Sequence, residues 1–147
     1  MINKDLVKEK IDLIQIELSR LEEFKKFSFQ DIVKDFRNQA IVERLLERII
    51  NRGVDINQHL IVELSTEKTE TPKDYKKTFL KLAEFKIYPE DFAQRISQSV
   101  GTRNILVHEY DKVDYSKIYS SISDCLKDYY LYCDFIIKFL EKLKTTA

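Results

Sequence analysis

A chain of 147 residues is long enough to bury a hydrophobic core without disulfides or a structural metal, and a single domain over residues 1-147 is the expectation. Hydrophobic residues at 44% beside charged residues at 34%, with only two glycines and two prolines, fit a mostly helical soluble protein. The 25 basic residues cancel the 25 acidic ones, so no global field draws the chain to nucleic acid, and any such binding has to rest on a local patch. From about Asn3 to Lys26, Leu6, Ile11, Ile14, Leu18 and Leu21 recur mostly at three- and four-residue steps, which predicts a first helix with one buried stripe. The polar Ser28-Phe29-Gln30-Asp31 breaks and recaps the chain, and Phe36, Ala40, Val42, Leu45, Leu46, Ile49, Ile56, Leu60 and Leu64 carry a second helix. Gly53 interrupts this run and marks either a bend or a close backbone approach. Ser65 to Thr71 reads as a loop. Thr71, Pro72 and Asp74 then read as an N-cap, a first-turn proline and a first-turn acid of a short third helix ending near Phe85. Pro89-Glu90-Asp91 opens a fourth helix, in which Phe92, Ile96, Val100, Arg103 and Val107 share one side. After an interruption over 111–113, Asp114 caps a fifth helix carrying Ile118, Ile122, Cys125, Tyr129, Ile136, Leu140 and Leu143, and the last three residues fray. With no alternating strand signal, the expected fold class is all-α, an up-and-down bundle of four main helices plus one short helix.

The stretch from Gly101 to Tyr110 departs from generic amphipathic helix. Arg103 supplies a permanent cation with a planar donor fork suited to phosphate, and His108 supplies a side chain that exchanges a proton near neutral pH. Between them Ile105, Leu106 and Val107 face the core at least in part, so packed backbone holds the polar groups. Asn104 and His108 share a helical face, whereas Arg103 and His108 are about 140° apart around an ideal helix. Bringing both to one phosphate requires a loosened helix, a swing of the long Arg103 side chain, or completion by a second subunit. The last two together are the expectation. The chemistry such a pair suits is RNA cleavage without a metal: His108 moves protons at the 2′-hydroxyl or the leaving oxygen while Arg103 stabilises charge on the phosphorus oxygens. Asn104 orients the imidazole, caps backbone groups, or serves as a buried hydrogen-bonding residue. Tyr110 stacks on a base or bonds a phosphate, and Glu109 and Asp111 put negative charge beside it.

Arg103-Asn104, three apolar residues, His108 and Tyr110 resemble the Arg-Asn-x-x-x-His-x-Tyr signature of HEPN-domain proteins, most closely the HepT-like toxins paired with an MntA-type nucleotidyltransferase antitoxin. The helix start at Pro89-Glu90-Asp91-Phe92, the one at Asp114 and the Ala40-Ile41-Val42-Glu43-Arg44 stretch extend the similarity over nearly the whole chain. The resemblance implies a homodimer with two Arg103–His108 pairs facing a shared cleft, and an RNase toxin as the activity. It implies a cognate MntA-like antitoxin that silences the toxin by transferring AMP to Tyr110. The rival reading is a non-catalytic helical module that binds a nucleotide or docks the nucleotidyltransferase; the neutral charge and the acids beside His108 favour it. A purely structural adaptor is a third reading.

Elsewhere the sequence offers little chemistry. His59, beside Leu60 and Ile61, reads as structural or solvent-facing, and Glu43 and Glu47 as solvated helix face. No zinc-ligand spacing or glycine-rich phosphate loop occurs, so neither a metal nor another cofactor is expected. Cys125 and Cys133 lie too far apart along one helix to join and read as buried thiols of a reducing compartment. Without an apolar leader at Met1-Ile2-Asn3 or a run of membrane-span length, a cytoplasmic location is expected. Tyr115, Tyr119, Tyr129, Tyr130 and Tyr132 read either as core or as a dimer surface.

Overall fold

The computed structural model describes residues 1–66, 73–108 and 114–145, apart from the side chains of His108, Lys144 and Thr145. Helix α1 (Lys4–Glu22) ends in a 3-10 turn (Glu23–Lys26), and α2 (Phe29–Lys34), α3 (Phe36–Leu64), α4 (Tyr75–Glu84), α5 (Glu90–Ser97), α6 (Ser99–His108) and α7 (Tyr115–Thr145) follow. Among the described residues there is no strand. The all-α up-and-down bundle is thus what forms. Its long members are α1, α3, the α5–α6 pair and α7, with α4 as the expected short helix and the six-residue α2 as a second one that the expectation of a single short helix leaves out.

Local chemistry sets the boundaries. The Asn3 side chain accepts from the Leu6 N–H at 3.0 Å and opens α1. Ser28 and Asp31 each accept the other's backbone N–H at 3.1 Å, a reciprocal cap that starts α2. Both Asp35 and Gln98 divide runs that the apolar periodicity joins. Asp35 adopts an extended backbone and accepts the Arg37 N–H at 2.9 Å, so it closes α2 and caps α3. Near Gln98, the Ser97 and Ser99 hydroxyls donate to the carbonyls of Gln94 and Ile96 at 2.8 and 2.7 Å. Such bonds compete with the helical ladder and bend it, separating α5 from α6. Asp74 is itself the cap of α4, accepting the Lys76 N–H at 2.9 Å, rather than a first-turn acid; Thr71 and Pro72 lie outside the described residues. At the other end of α4, the Ile87 N–H reaches Leu82 O and the Lys86 N–H reaches Ala83 O, and Lys86 takes the left-handed φ of 64° that this terminus requires. The interruption over 111–113 and residues 146–147 also lie outside the described residues, while α7 continues to Thr145.

The core joins Ile14, Leu18 and Leu21 of α1 to Leu46, Ile49, Ile56 and Leu60 of α3 and to Tyr129, Tyr132 and Ile136 of α7, all fully buried. Tyr129 and Tyr132 therefore belong to the interior, and Phe79 of α4 meets both rings edge-on. Gly53 allows a close approach: a β-carbon there would lie 3.0 Å from Cε1 of Tyr129. Buried Asn57 is satisfied by its neighbours, its amide donating to Thr78 Oγ1 at 3.2 Å and its oxygen accepting from the Tyr132 hydroxyl. Thr78 in turn donates to the carbonyl of Tyr75 at 2.7 Å. Glu17, 3% exposed on α1, faces two cations of α3: Arg48 Nε at 3.1 Å and Arg52. The two thiols are buried; burial raises both above their ordinary range, that of Cys133 to about 12, so they stay protonated.

Candidate functional site

The α6 helix delivers Arg103 to a junction of three elements. Val100, 3% exposed, anchors the turn before it in the core, and Leu106 anchors the turn after. Arg103 itself is half-buried at the edge of this stripe, as the spacing predicts. Its Nε donates to Oδ1 of Asn51 on α3 at 3.0 Å, and one terminal nitrogen donates to Oδ1 of Asn104 at 3.3 Å. The guanidinium carbon lies 4.9 Å from the centroid of the Tyr75 ring, at the start of α4. Among the described residues these engage two of its five donors, which leaves part of the fork open to an anion.

That fork borders a groove of about 450 Å³ lined by Lys73, Asp74, Tyr75, Lys76, Val100, Arg103 and Asn104. Lys73 and Lys76 are exposed on its rim. The carboxylate of Asp74 is engaged by the Lys76 backbone N–H, so the lining carries three cations and one anion that is already hydrogen-bonded. This is the local positive patch that the neutral composition requires of any nucleic-acid reading. Neither Asn51, Tyr75 nor the two lysines is singled out by the sequence. The signal for Tyr75 was an aromatic directly after a capping Asp, and for Asn51 an amide flanking the apolar stripe of α3.

Of the four residues the sequence nominates, Arg103 and Asn104 stand side by side and touch. Asn104 is exposed rather than buried, and its Oδ1 accepts from the guanidinium; its expected role in orienting the imidazole involves the His108 side chain, which lies outside the described residues. The backbone of α6 is helical through His108, and the His108 side chain and Tyr110, with Glu109 and Asp111, lie outside the described residues. His59 is not part of this site: its Nε2 accepts the Asn3 N–H at 3.1 Å and holds the start of α1. Glu43, expected on a solvated face, is only partly exposed, in a crevice with Phe29, Ile32 and Tyr119 where burial raises its carboxyl above the usual range. Among the described residues, no three His, Cys, Asp or Glu side chains gather as a metal site would require. No described helix is long and apolar enough to cross a membrane.

The all-α bundle, which carries the Arg103-Asn104-x-x-x-His108 segment on α6, has the fold of a solved HEPN protein. The chain belongs to the Ribonuclease HepT-like family, whose profile matches residues 14–136. It is similar to the tRNA nuclease HepT of Aphanizomenon flos-aquae (strain 2012/KM1/D3), with 34% identity over 139 residues that cover 95% of this chain and 92% of that protein. In structure it is similar to the tri-AMPylated HEPN toxin of Shewanella oneidensis solved in complex with the MNT antitoxin, at 23% identity and a TM-score of 0.80 over 91% of this chain and 98% of that one. It is also similar to YutE of Bacillus subtilis, a cytosolic protein of unknown function, at 15% identity and a TM-score of 0.77 over 96% and 92% of the two chains. At these identities the structural likeness is one of fold.

Proposed function

We propose that this protein is the toxin of a toxin–antitoxin pair and acts in the cytoplasm as a metal-independent endoribonuclease. Transfer RNA is the proposed substrate class, because the relative at 34% identity is named a tRNA nuclease. The observation that carries the reading is the Arg103 guanidinium, held by uncharged partners at the edge of a groove rimmed by Lys73 and Lys76, on the helix that ends at His108. In the proposed reaction, the 2′-oxygen attacks the adjacent phosphorus as His108 takes its proton, and the 5′-oxygen leaves with a proton, giving a 2′,3′-cyclic phosphate. Arg103 meets the charge that builds on the non-bridging oxygens. DNA, lacking the 2′-hydroxyl, is not cut. A homodimer with two Arg103–His108 pairs facing one cleft supplies one imidazole to take the proton and a second to give it, and doubles the local positive charge. The proposed partner is an MntA-like nucleotidyltransferase that transfers AMP to Tyr110. A bulky anion two residues from His108 opposes an incoming phosphate and silences the toxin.

The test is cleavage of tRNA by purified, unmodified protein with a metal chelator present. Arg103→Ala and His108→Ala each lower the rate at least about 100-fold with helical content unchanged. Wild type that cuts no RNA, or variants that cut as fast as wild type, would overturn the reading. The second reading, a non-catalytic module that binds a nucleotide or docks the nucleotidyltransferase, is favoured by the balance of 25 basic and 25 acidic residues. It predicts partner binding without cleavage.

A further inference from the structure

Four of the other arginines, Arg44, Arg48, Arg52 and Arg95, meet carboxylates. Arg95 Nε donates to Asp128 at 2.8 Å, Arg48 and Arg52 share Glu17, and Arg44 lies 3.5 Å from Glu47. Arg103 differs. Among the described residues its partners are two amides and a ring, and no carboxylate pairs with it. A carboxylate against Nε would fix the side chain equally well, but it would cancel much of the positive field that an incoming phosphate meets. A neutral amide oxygen fixes the geometry and leaves the charge in place.

We propose that Asn51 and Tyr75 are positioning residues for Arg103, which clamp its guanidinium in a binding-ready orientation without neutralising it. The proposal rests on the reading of Arg103 as the cation that meets the scissile phosphate. Asn51 is suited to this because it is fixed itself: it sits partly buried on α3 between Ile50 and Gly53, both buried. Tyr75 is fixed through its backbone, since its carbonyl accepts from Thr78 in the first turn of α4. Its ring centroid lies 4.9 Å from the guanidinium carbon, within cation–π range, and both side chains line the groove. Free in solvent, an arginine side chain populates many rotamers, and ordering it on binding carries an entropic cost. Held by an amide on one side and a ring on the other, it is ordered before RNA arrives, which is the condition for strong stabilisation of developing charge.

The deciding variant is Asn51→Asp, which keeps an acceptor at the same place and adds the missing carboxylate. It is expected to leave the melting temperature equal or higher, because it creates an ion pair, while lowering kcat/KM for tRNA about 100-fold. A residue with a merely structural role gives the opposite pattern, with unchanged cleavage. Tyr75→Phe, which keeps the ring, should cleave at least about ten times faster than Tyr75→Leu, which removes it. In an Arg103→Ala background neither Asn51→Asp nor Tyr75→Leu should lower the residual rate further, since both act through the missing side chain. Arg103→Ala that cleaves like wild type overturns the nuclease reading itself. Arg103→Ala that is impaired beside a fully active Asn51→Asp and Tyr75→Leu overturns the clamp alone. If Asn51→Asp fails to fold, Asn51→Ala takes its place, and wild-type cleavage by that variant likewise overturns the clamp.

Discussion

A β-carbon at Gly53 would stand 3.0 Å from Cε1 of Tyr129, with the Phe79 ring at 3.5 Å on the same side. Tyr129 cannot retreat easily: it is fully buried, and its hydroxyl is 2.8 Å from Ser99 Oγ at the bend between α5 and α6. Alanine would gain about 1 kcal/mol of helix propensity and lose about 1–3 kcal/mol to overpacking. Gly53→Ala is therefore expected to destabilise by about 1 kcal/mol net, and Gly53→Val by more, as read from the midpoint of denaturant unfolding. An alanine variant more stable than wild type would show that the approach of α3 and α7 is looser than these distances imply.

Glu17 should be costly to remove alone. Glu17→Ala removes the carboxylate that pairs with Arg52, whose side chain is 16% exposed, whereas Arg48 at 45% can turn to water. A loss of about 3 kcal/mol is expected, and pairing Glu17→Met with Arg52→Leu should recover most of it. Chemical unfolding of the three proteins checks the pattern: the double variant must be more stable than Glu17→Ala.

The terminus of α4 offers the reverse case. Lys86 adopts φ 64°, a conformation that costs an L-residue about 1 kcal/mol and glycine almost nothing. Lys86→Gly should raise stability by several tenths to about 1 kcal/mol, seen as a higher melting temperature. Lys86→Val should lower it.

At the start of α7, a hydrogen bond from the Ser116 hydroxyl, with help from backbone N–H groups, holds the Asp114 carboxyl below the ordinary carboxylate range. A carboxyl depressed in the folded state contributes stability that is present above its unfolded pKa and lost as pH falls through its folded one. Amide exchange at Ser116 and Lys117 should therefore quicken as pH falls through and below the usual carboxylate range, after correction for intrinsic rates. Asp114→Asn, which keeps a capping oxygen without a charge, should flatten that dependence.

If the groove holds RNA, its lysines should be visible as salt dependence. Lys73→Ala with Lys76→Ala is expected to raise KM for tRNA more than it lowers kcat, and to reduce the slope of log affinity against log salt by about 1 per lysine. An unchanged slope would place the RNA elsewhere on the surface.

How much of this was legible in sequence depends on the separation of the residues concerned. Arg103, Asn104 and His108 are contiguous, so their pattern is visible in a single line of letters, as are the caps at Ser28 and Asp114, where donor and acceptor lie within three residues. The breaks at Asp35 and Gln98 were not legible from apolar periodicity, because buried residues keep helical spacing across both while side-chain oxygens divert single backbone groups. Gly53 could be read as a bend or a contact, and only Tyr129, arriving from α7, decides between them. Asn51 is 52 positions from Arg103 and Tyr75 is 28 positions away, and nothing local couples them. A clamp made by three helices becomes visible only once those helices are packed.

The hydrogen bonds running from Tyr132 through Asn57 and Thr78 to the carbonyl of Tyr75 tie the centre of the bundle to the shelf under Arg103. Mutational drift at positions 57, 78 or 132 is consequently felt at the protein surface as well as in its interior. A variant such as Thr78→Val, although remote from solvent, should be scored for toxicity in a growth assay as well as for folding.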